Sequence, residues 1–461
     1  MTKLNIRYIT GIALVSAMGG LLFGYDWVVI GGAKPFYEQF FDIASSAQLQ
    51  GWAVSCALVG CILGTVLAGI FSDKYGRKKL LITAAALFLL SAIGTGFSNQ
   101  FSLFVVYRII GGIGIGLASN LAPVYIAEVS PANMRGRFVA INQLTIVIGI
   151  LLAQLVNFMI ARPVPADSTG LDILNSWNGQ HGWRFMFWAE IVPAAIFFIL
   201  MWLVPDSPRW LLKKKFETKA VSVLNKIGGK QYAQDTKAEI EETLVTKEPK
   251  VRLKDLLNKG VLPVLVIGIV LAVFQQWCGI NVIFLFADEV FSSAGYNVSD
   301  MLFNVVITGS INLVFTIVAM VLVDRIGRKV LLIIGAGGLA VIYTIIGSLY
   351  YAGVQGAPLL VFVLMAIACY AMTLAPVVWV VLSEIFPNKL RGTAMAIATF
   401  ALWTGNTLLA FFFPIINDTI QISGSFWLFA GICVLGLLFI IYRVKETKGK
   451  TLEEIEKGMS M

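Results

Sequence analysis

The sequence has few of the residues on which most enzymes and metal sites depend. It contains a single histidine, His181, and five cysteines among 461 residues. The cysteines, which are Cys56, Cys61, Cys278, Cys369 and Cys433, lack the spacing of a metal site, so we interpret them as packing residues. His181 is best explained as a surface or capping residue. Without a nucleophile–base pair or a ligand cluster, the sequence does not favour an enzyme, and we expect no metal and no cofactor.

Charge is scarce as well. Only 13% of the residues are charged and 58% are hydrophobic, with a mean hydropathy of +0.83, whereas a soluble chain carries about 25% charged residues. Apolar runs of 18 or more residues recur twelve times and lack the alternation of barrel strands. The sequence therefore predicts an all-α polytopic membrane protein. The predicted spans are 8–32, 51–72, 79–97, 101–124, 136–161, 183–204, 261–287, 301–323, 329–352, 358–383, 393–416 and 424–442.

The net charge of +9 does not indicate a nucleic-acid partner, because the basic residues are concentrated on one side of the predicted spans. That side holds 31 of the 35 Lys and Arg residues, and the opposite side holds only Lys34, Arg162 and Arg184. This bias places both termini in the cytoplasm. The first apolar run is too long for a signal peptide and has no obvious cleavage site, so we interpret it as the first span. The lipid bilayer is the expected surrounding.

Two short patterns occur twice. "DKYGRK" at 73–78 returns as "DRIGRK" at 324–329, and "AEVSPANMRG" at 127–136 returns as "SEIFPNKLRG" at 383–392. Each copy follows the same span of its half. The sequence therefore predicts six-helix halves at 1–207 and 260–443, a cytoplasmic linker with short amphipathic helices at 208–259, and a cytoplasmic tail at 444–461. Internal repeats of this kind are typical of secondary transporters.

The second pattern places charges where helix dipoles disfavour them. Glu128 ends the fourth span and Arg135 begins the fifth, so each offsets the other's unfavourable position. We predict a cytoplasmic gate in which these residues pair with each other or across halves. The alternative is interfacial charge that only fixes topology. The predicted gate residues are Asp73, Arg77, Glu128, Arg135, Asp324, Arg328, Glu384 and Arg391.

Several motifs together resemble one family. The duplicated D-x-x-G-R-K, "GGIGIGLASNLAPVYIAEVSPANMRGR" (111–137), "PDSPRWLL" (205–212), "QQWCGIN" (275–281) and "ETKGKTLEEIE" (446–456) are similar to the sugar porter family of the major facilitator superfamily. The likeness is strongest to bacterial D-xylose–proton symporters and next to facilitative glucose transporters. It implies the major facilitator fold, a monomer, and a bacterial inner membrane. Lys445 departs from the family's proline.

A sugar requires side chains that both donate and accept hydrogen bonds, and an aromatic face. Gln275, Gln276 and Asn281 surround Gly279 in span 7, where the helix can loosen. Gln143 lies in span 5, and Trp379 lies in span 10 near Pro376. The resemblance implies that these residues contact sugar, and it extends to Phe23, Asn312, Trp403 and Asn406. The alternative is that the amides only join helices.

Some positions of the predicted pocket depart from the xylose symporters. Leu402 stands where a polar residue reaches the sugar. Ile150 and Phe284 are nearer the glucose transporters, and Leu285 and Phe286 occupy positions that are usually tyrosine. These changes make the pocket less polar, so the sequence leaves glucose, xylose and galactose open.

Asp26 is a carboxylate inside the first apolar run. At a helix centre it costs about 2.5–3.5 kcal/mol unless it pairs or faces water. Arg108 in span 4 and Glu190 in span 6 are the candidate neighbours. Burial strengthens proton binding by a carboxylate, and a nearby arginine weakens it. If the contact with arginine changes between two conformations, the proton affinity of the carboxylate changes with it, which is the requirement for proton coupling. The resemblance gives Asp26 and Arg108 this role, and the alternative is a permanent ion pair.

The function that these observations favour is import of a monosaccharide by proton symport through alternating access. The runner-up is a proton-independent facilitative uniporter, since those relatives carry asparagine in place of the aspartate. A sugar-sensing receptor is more remote, because receptors of this kind carry a long cytoplasmic tail and only about 18 residues follow the last span here.

Overall fold

The computed structural model describes residues 4–131, 134–165, 168–245, 261–386 and 390–448. Over these residues the chain is helical and contains no β-strand, which confirms the all-α prediction. The helices are α1 (Ile6–Phe40), α2 (Ala47–Tyr75), α3 (Arg77–Phe97), α4 (Phe101–Val129), α5 (Arg135–Ile160), α6 (Gly170–Asn175), α7 (Trp183–Trp188), α8 (Ile191–Leu203), α9 (Pro208–Lys213), α10 (Glu217–Val245), α11 (Leu262–Trp277), α12 (Ile280–Leu285), α13 (Ala287–Ser293), α14 (Val298–Ile326), α15 (Arg328–Tyr351), α16 (Ala357–Met372), α17 (Leu374–Ile385) and α18 (Arg391–Arg443). A π-helical turn (Asn178–Gly182) precedes α7.

Eleven helical segments among the described residues are long and apolar enough to cross a membrane. The last of them, Gly392–Arg443, has 52 residues, and a helix rises only about 1.5 Å per residue across a hydrocarbon core of about 30 Å. It is interrupted at Gln421, where φ is 61°. This segment therefore contains two of the predicted spans, and the multi-pass character of the protein is confirmed.

Two of the predicted spans are broken rather than continuous. Gly279 separates α11 from α12 at a φ of 91°, a value that favours glycine. A Cβ there would also lie 2.6 Å from Cγ of Phe429. In span 10 the break is at Thr373, where φ is −124° and ψ is −84°. Pro376 does not make that break, because it lies in the first turn of α17, where its missing N–H needs no partner.

By packing, the described chain forms two compact units. Unit 1 comprises Met1–Trp27, Gly60–Ile150 and Phe187–Pro249, and unit 2 comprises Val28–Val59, Leu151–Met186 and Lys250–Met461. The division into halves 1–207 and 260–443 with a tail at 444–461 stays a prediction. Residues 246–259 of the predicted linker 208–259 lie outside the described residues, as do residue 260 of the second half and residues 449–461 of the tail.

In unit 1 the helices of the linker pack on the start of α1. Ser207 caps α9 by accepting a hydrogen bond from the N–H of Trp210, and Pro208 occupies the first turn. Trp210 then donates its indole N–H to the carbonyl of Asp73 at 3.2 Å. The apolar side chains of this contact are Ile9, Ala13, Ala17, Ile126, Phe138, Trp210, Leu211, Leu212, Ala220, Val223 and Ile227. Burial of these side chains joins the linker to the membrane helices.

Candidate functional site

A cluster of four amide side chains lies inside unit 2. Nδ2 of Asn281 donates to Oε1 of Gln276 at 2.7 Å and to Oδ1 of Asn406 at 3.0 Å. Nε2 of Gln275 donates to the carbonyls of Leu374 and Ala375 at 3.1 and 3.0 Å. All four amides are at least nine-tenths buried. The breaks at Gly279 and Thr373 place α12 and α17 beside α11, which brings the members of this cluster together.

The cluster retains hydrogen-bonding capacity for a ligand. Both amide hydrogens of Gln275 are used on backbone carbonyls, so this side chain serves to hold α17. Gln276 is the most accessible of the four, with 8% exposure, and its Nε2 makes only a long 3.4 Å bond to Gln275. Nδ2 of Asn406 and Oδ1 of Asn281 make no other side-chain bond among the described residues. Two donors and one acceptor are a set that suits hydroxyl groups.

An exposed tryptophan accompanies the amides in unit 2. Trp379 is 36% exposed, whereas its neighbours Val377, Val378 and Val381 on α17 are fully buried. A tryptophan exposed beside buried neighbours is available for stacking against a ligand. Asn312 on α14 and Trp403 on α18 are buried, at 7% and 5% exposure.

Two of the residues predicted to bind sugar belong to unit 1. Phe23 on α1 and Gln143 on α5 are each partly buried. A Cβ at Gly24 would collide with the carbonyl of Ile146, which shows that the two helices approach closely. Glycine at position 24 is therefore what lets α1 and α5 pack at this level.

The structure brings the predicted proton-coupling residues together in unit 1. Nη1 of Arg108 forms an ion pair with Oδ1 of Asp26, and Nη2 donates to the carbonyl of Asp26 at 3.2 Å. Glu190, at the start of α8, lies within electrostatic reach of both. All three residues are 1% exposed. The guanidinium also lies 5.4 Å from the centre of the Phe187 ring, and Gly111 leaves the room that Asp26 occupies.

The charges of this group do not balance when every member is ionised. One guanidinium faces two carboxylates, so a fully ionised group would hold one excess negative charge away from water. Oδ2 of Asp26 and Oε1 of Glu190 are buried without a hydrogen-bond partner among the described residues. A proton can be taken up at such an oxygen. Protonation removes the excess negative charge and allows the unpaired oxygen to form a hydrogen bond.

The predicted gate charges pair within each repeat. Nη2 of Arg77 lies 2.9 Å from Oε1 of Glu128, and the equivalent pair, Arg328 and Glu384, is separated by 3.2 Å. The expected pair between Glu128 and Arg135 does not form. Arg77 is the first residue of α3, where it reaches the end of α4, and Arg135 is exposed.

Among the other predicted gate residues, one adds contacts to the first pair and two have side chains that the structure does not describe. Asp73 binds Arg77 at 3.5 Å and Lys213 of the linker at 2.7 Å. Asp324 and Arg391 have side chains outside the described part of the structure. The gate assignment stays a prediction.

The described start of the tail, residues 444–448, contacts the Arg328–Glu384 pair. Glu446 accepts hydrogen bonds from the backbone N–H groups of Arg328, Lys329, Thr447 and Lys448 at 2.9–3.0 Å. Partial burial acts to raise the pKa of Glu446, but the four N–H donors outweigh it and lower the pKa. The hydroxyl of Thr447 donates to Glu384 at 2.6 Å. A carboxylate thus caps α15, whose first N–H groups have no partner within the helix.

We expect Glu446→Gln to loosen this contact. The lowered pKa means that the carboxylate contributes stability above its unfolded value of about 4.3, and this contribution is lost as the pH falls through the folded value. At pH 7 the substitution should cost roughly 1–2 kcal/mol. Hydrogen exchange at Arg328 and Lys329 should then be about tenfold faster. Glu239→Gln, which alters an exposed glutamate of α10, is the control, and equal exchange in both variants would contradict the capping role.

Sequence reasoning missed one charged cluster. Lys34 follows the predicted span 8–32, but it lies inside α1 and is 1% exposed. It contacts Glu38, Asp288 and Glu289. A signal was present, since Lys34 and Glu38 are four residues apart on a helix and an acidic pair follows the "QQWCGIN" motif.

Known proteins are similar to this chain over nearly its whole length. The family model described as sugar (and other) transporter matches residues 12–458. The D-xylose-proton symporter of Escherichia coli strain K12 is 41% identical over 485 residues, covering 99% of this chain and 96% of that protein. The arabinose-proton symporter of Bacillus subtilis strain 168 is 36% identical over 454 residues, covering 98% and 95%. Among solved structures, the inward-open xylose transporter XylE from E. coli matches with a TM-score of 0.85 at 39% identity, covering 97% of this chain and 99% of that one.

Proposed function

The chain belongs to the sugar (and other) transporter family, and we propose that it imports a monosaccharide together with a proton. The observation that carries the proton-coupled part is the buried group of Asp26, Arg108 and Glu190, with its excess carboxylate. A uniporter needs no titratable group at this depth, where each ionised side chain is costly. No cofactor other than the coupling proton enters the proposal.

The amide cluster supports the sugar as the solute. Gln276, Asn281 and Asn406 offer both donors and an acceptor, and Trp379 offers an aromatic face. Gln143 and Phe23 of unit 1, together with Asn312 and Trp403, complete the proposed set of sugar contacts. The less polar surroundings at Leu402, Leu285 and Phe286 favour an aldopentose or aldohexose, such as D-xylose or D-glucose, over a more polar solute.

We further propose that the site opens alternately to the two sides of the membrane. The pairs Arg77–Glu128 and Arg328–Glu384 occupy equivalent places in the two repeats. The distribution of basic residues predicts that this side of the membrane is cytoplasmic. The side chains of these pairs are only 10–21% exposed, so each pair holds its arrangement until water can reach both partners. Both termini are proposed to be cytoplasmic, and the membrane to be a bacterial inner membrane.

The proposal is tested by uptake into proteoliposomes that contain the purified full-length protein. Labelled D-xylose, D-glucose, D-galactose and L-arabinose are offered with and without an acidic exterior. We expect at least one sugar to accumulate above its external concentration only when the exterior is acidic. Equilibration of a sugar without accumulation would favour the facilitative alternative, and no uptake of any sugar would reject the substrate class.

We expect Trp379→Leu to reduce transport strongly while the protein remains folded in the membrane. The indole ring is 36% exposed, so its loss removes a stacking surface rather than core packing. Loss of one such face should weaken sugar binding by roughly 0.5–1.5 kcal/mol beyond the area effect. Counterflow and thermal unfolding are measured together. Trp202→Leu, which alters an exposed tryptophan at the end of α8, is the control. Unfolding of the Trp379 variant with unchanged sugar affinity would assign the ring a packing role instead.

A further inference from the structure

A buried lysine joins α1 to the short helix α13 in unit 2. Nζ of Lys34 lies 2.9 Å from Oδ2 of Asp288 and 2.5 Å from Oε1 of Glu289, and it lies 3.0 Å from Oε1 of Glu38 on its own helix. Lys34 is 1% exposed and Glu38 is 5% exposed. One ammonium is therefore shared by three carboxylates, of which Glu38 is buried and Asp288 and Glu289 are 19% and 17% exposed.

The surrounding backbone is shaped to let the two elements meet. A Cβ at Gly31 would collide with the carbonyl of Phe284, so glycine at this position lets α1 approach the segment before α13. The ammonium of Lys34 also lies 5.7 Å from the centre of the Phe286 ring. The contact between α1 and α13 therefore depends on the missing side chain at Gly31, on the Phe286 ring and on the charged side chains.

Helix α13 does not continue α12. Phe286 separates them with φ of −125° and ψ of 44°, and α13 has only seven residues. A helix of this length is not stable by itself. Its position depends on contacts such as the Lys34 cluster and the bond from the Tyr350 hydroxyl to the carbonyl of Val290 at 2.6 Å.

The cluster has two acceptable arrangements. When it is closed, the ammonium is the shared partner of all three carboxylates, and removing it would leave Glu38 buried and uncompensated. When the helices separate, the same groups can be hydrated, and exposed ion pairs contribute only about 0–1 kcal/mol. A cluster of this kind favours either full contact or full separation, which is the behaviour of a gate.

We propose that Lys34 is a positioning residue of an outer gate. The ammonium holds α13 against the end of α1 while the external side is closed, and it releases α13 when that side opens. The predicted topology places this end of α1 outside, opposite the Arg77 and Arg328 pairs. The inference rests on the proposed function, because alternating access requires closure on both sides.

The test measures the separation of the two helices directly. Spin labels are attached at Ser45→Cys, beyond α1, and at Ser292→Cys on α13, both of which are exposed. Full-length protein in proteoliposomes is compared with the Lys34→Met variant and with the double variant Asp288→Asn, Glu289→Gln. The double variant keeps the Lys34–Glu38 pair, so it preserves the test if Lys34→Met fails to fold. Lys237→Met is the control, since Lys237 also contacts two glutamates, Glu217 and Glu241.

We expect both gate variants to populate a longer distance, with the ratio of open to closed protein raised roughly tenfold, and Lys237→Met to match the wild type. The sugar concentration that half-saturates uptake from outside should fall, because a larger fraction of the protein faces outward. Merely structural damage would not improve that value. Unchanged distances in both gate variants would overturn the proposal, as would an equal shift in Lys237→Met. The distances do not depend on transport, so a shift in a protein that moves no sugar would reject the proposed function and leave the gate intact.

Discussion

Asp26→Asn should abolish sugar accumulation driven by a pH gradient and leave counterflow at equal pH largely intact. Asparagine has nearly the shape of aspartate but cannot ionise, so no proton can be taken up at this position. Its pairing with Arg108 becomes a hydrogen bond from the guanidinium to an uncharged amide oxygen rather than an ion pair. The protein can then still bind sugar and reorient, because Gln276, Asn281 and Trp379 are unchanged.

Both properties are measured on one proteoliposome preparation, first as counterflow at equal pH and then as uptake with an acidified exterior. Asp42→Asn, an exposed aspartate outside the buried group, is the matched control. Retained accumulation in Asp26→Asn would mean that the carboxylate is structural and that Glu190 carries the proton. Loss of counterflow as well would mean that Asp26 holds the fold or the gate.

The second large effect is expected from Gln276→Ala. Its amide is the most accessible member of the buried cluster and has a donor left for a ligand, so its removal leaves a sugar hydroxyl without a buried partner. The cost should be about 1–3 kcal/mol, which corresponds to an affinity roughly 5–150-fold weaker. Competition of unlabelled sugar in counterflow gives the value.

A comparison with Gln275→Ala separates binding from structure. Gln275 uses its amide on the carbonyls of Leu374 and Ala375, so its removal should lower the thermal stability more than Gln276→Ala does. Gln231→Ala, at an exposed position of α10, should change neither property. Wild-type sugar affinity in Gln276→Ala would remove this residue from the site.

Much of the fold follows from the sequence because a membrane imposes strong rules. Apolar runs of the required length identify the helices, and the duplicated motifs indicate a repeated unit. The major facilitator fold and the sugar transporter family, both implied by the motifs, are confirmed. The proximity of Asp26 and Arg108 was also predictable, since a buried charge in an apolar run needs a partner.

The details that the sequence did not reveal depend on three-dimensional proximity. Glu128 had two candidate arginines, and the packing of α3 against α4 brings Arg77 rather than Arg135 to it. The burial of Lys34 was not predictable, because a lysine near a span end normally reaches water, whereas here the carboxylates of α13 replace water. The position of the break at Thr373, rather than at Pro376, also depends on packing, because neighbouring side chains determine where a helix is interrupted.

The most direct test of the account follows protons rather than sugar. Proteoliposomes with a pH-sensitive dye inside are given D-xylose or D-glucose outside at equal pH, with the membrane potential clamped by potassium and valinomycin. If the buried group of Asp26, Arg108 and Glu190 couples proton to sugar, sugar addition should acidify the interior, and Asp26→Asn should show no acidification. Entry of labelled sugar with no change of internal pH in the wild type would contradict proton symport.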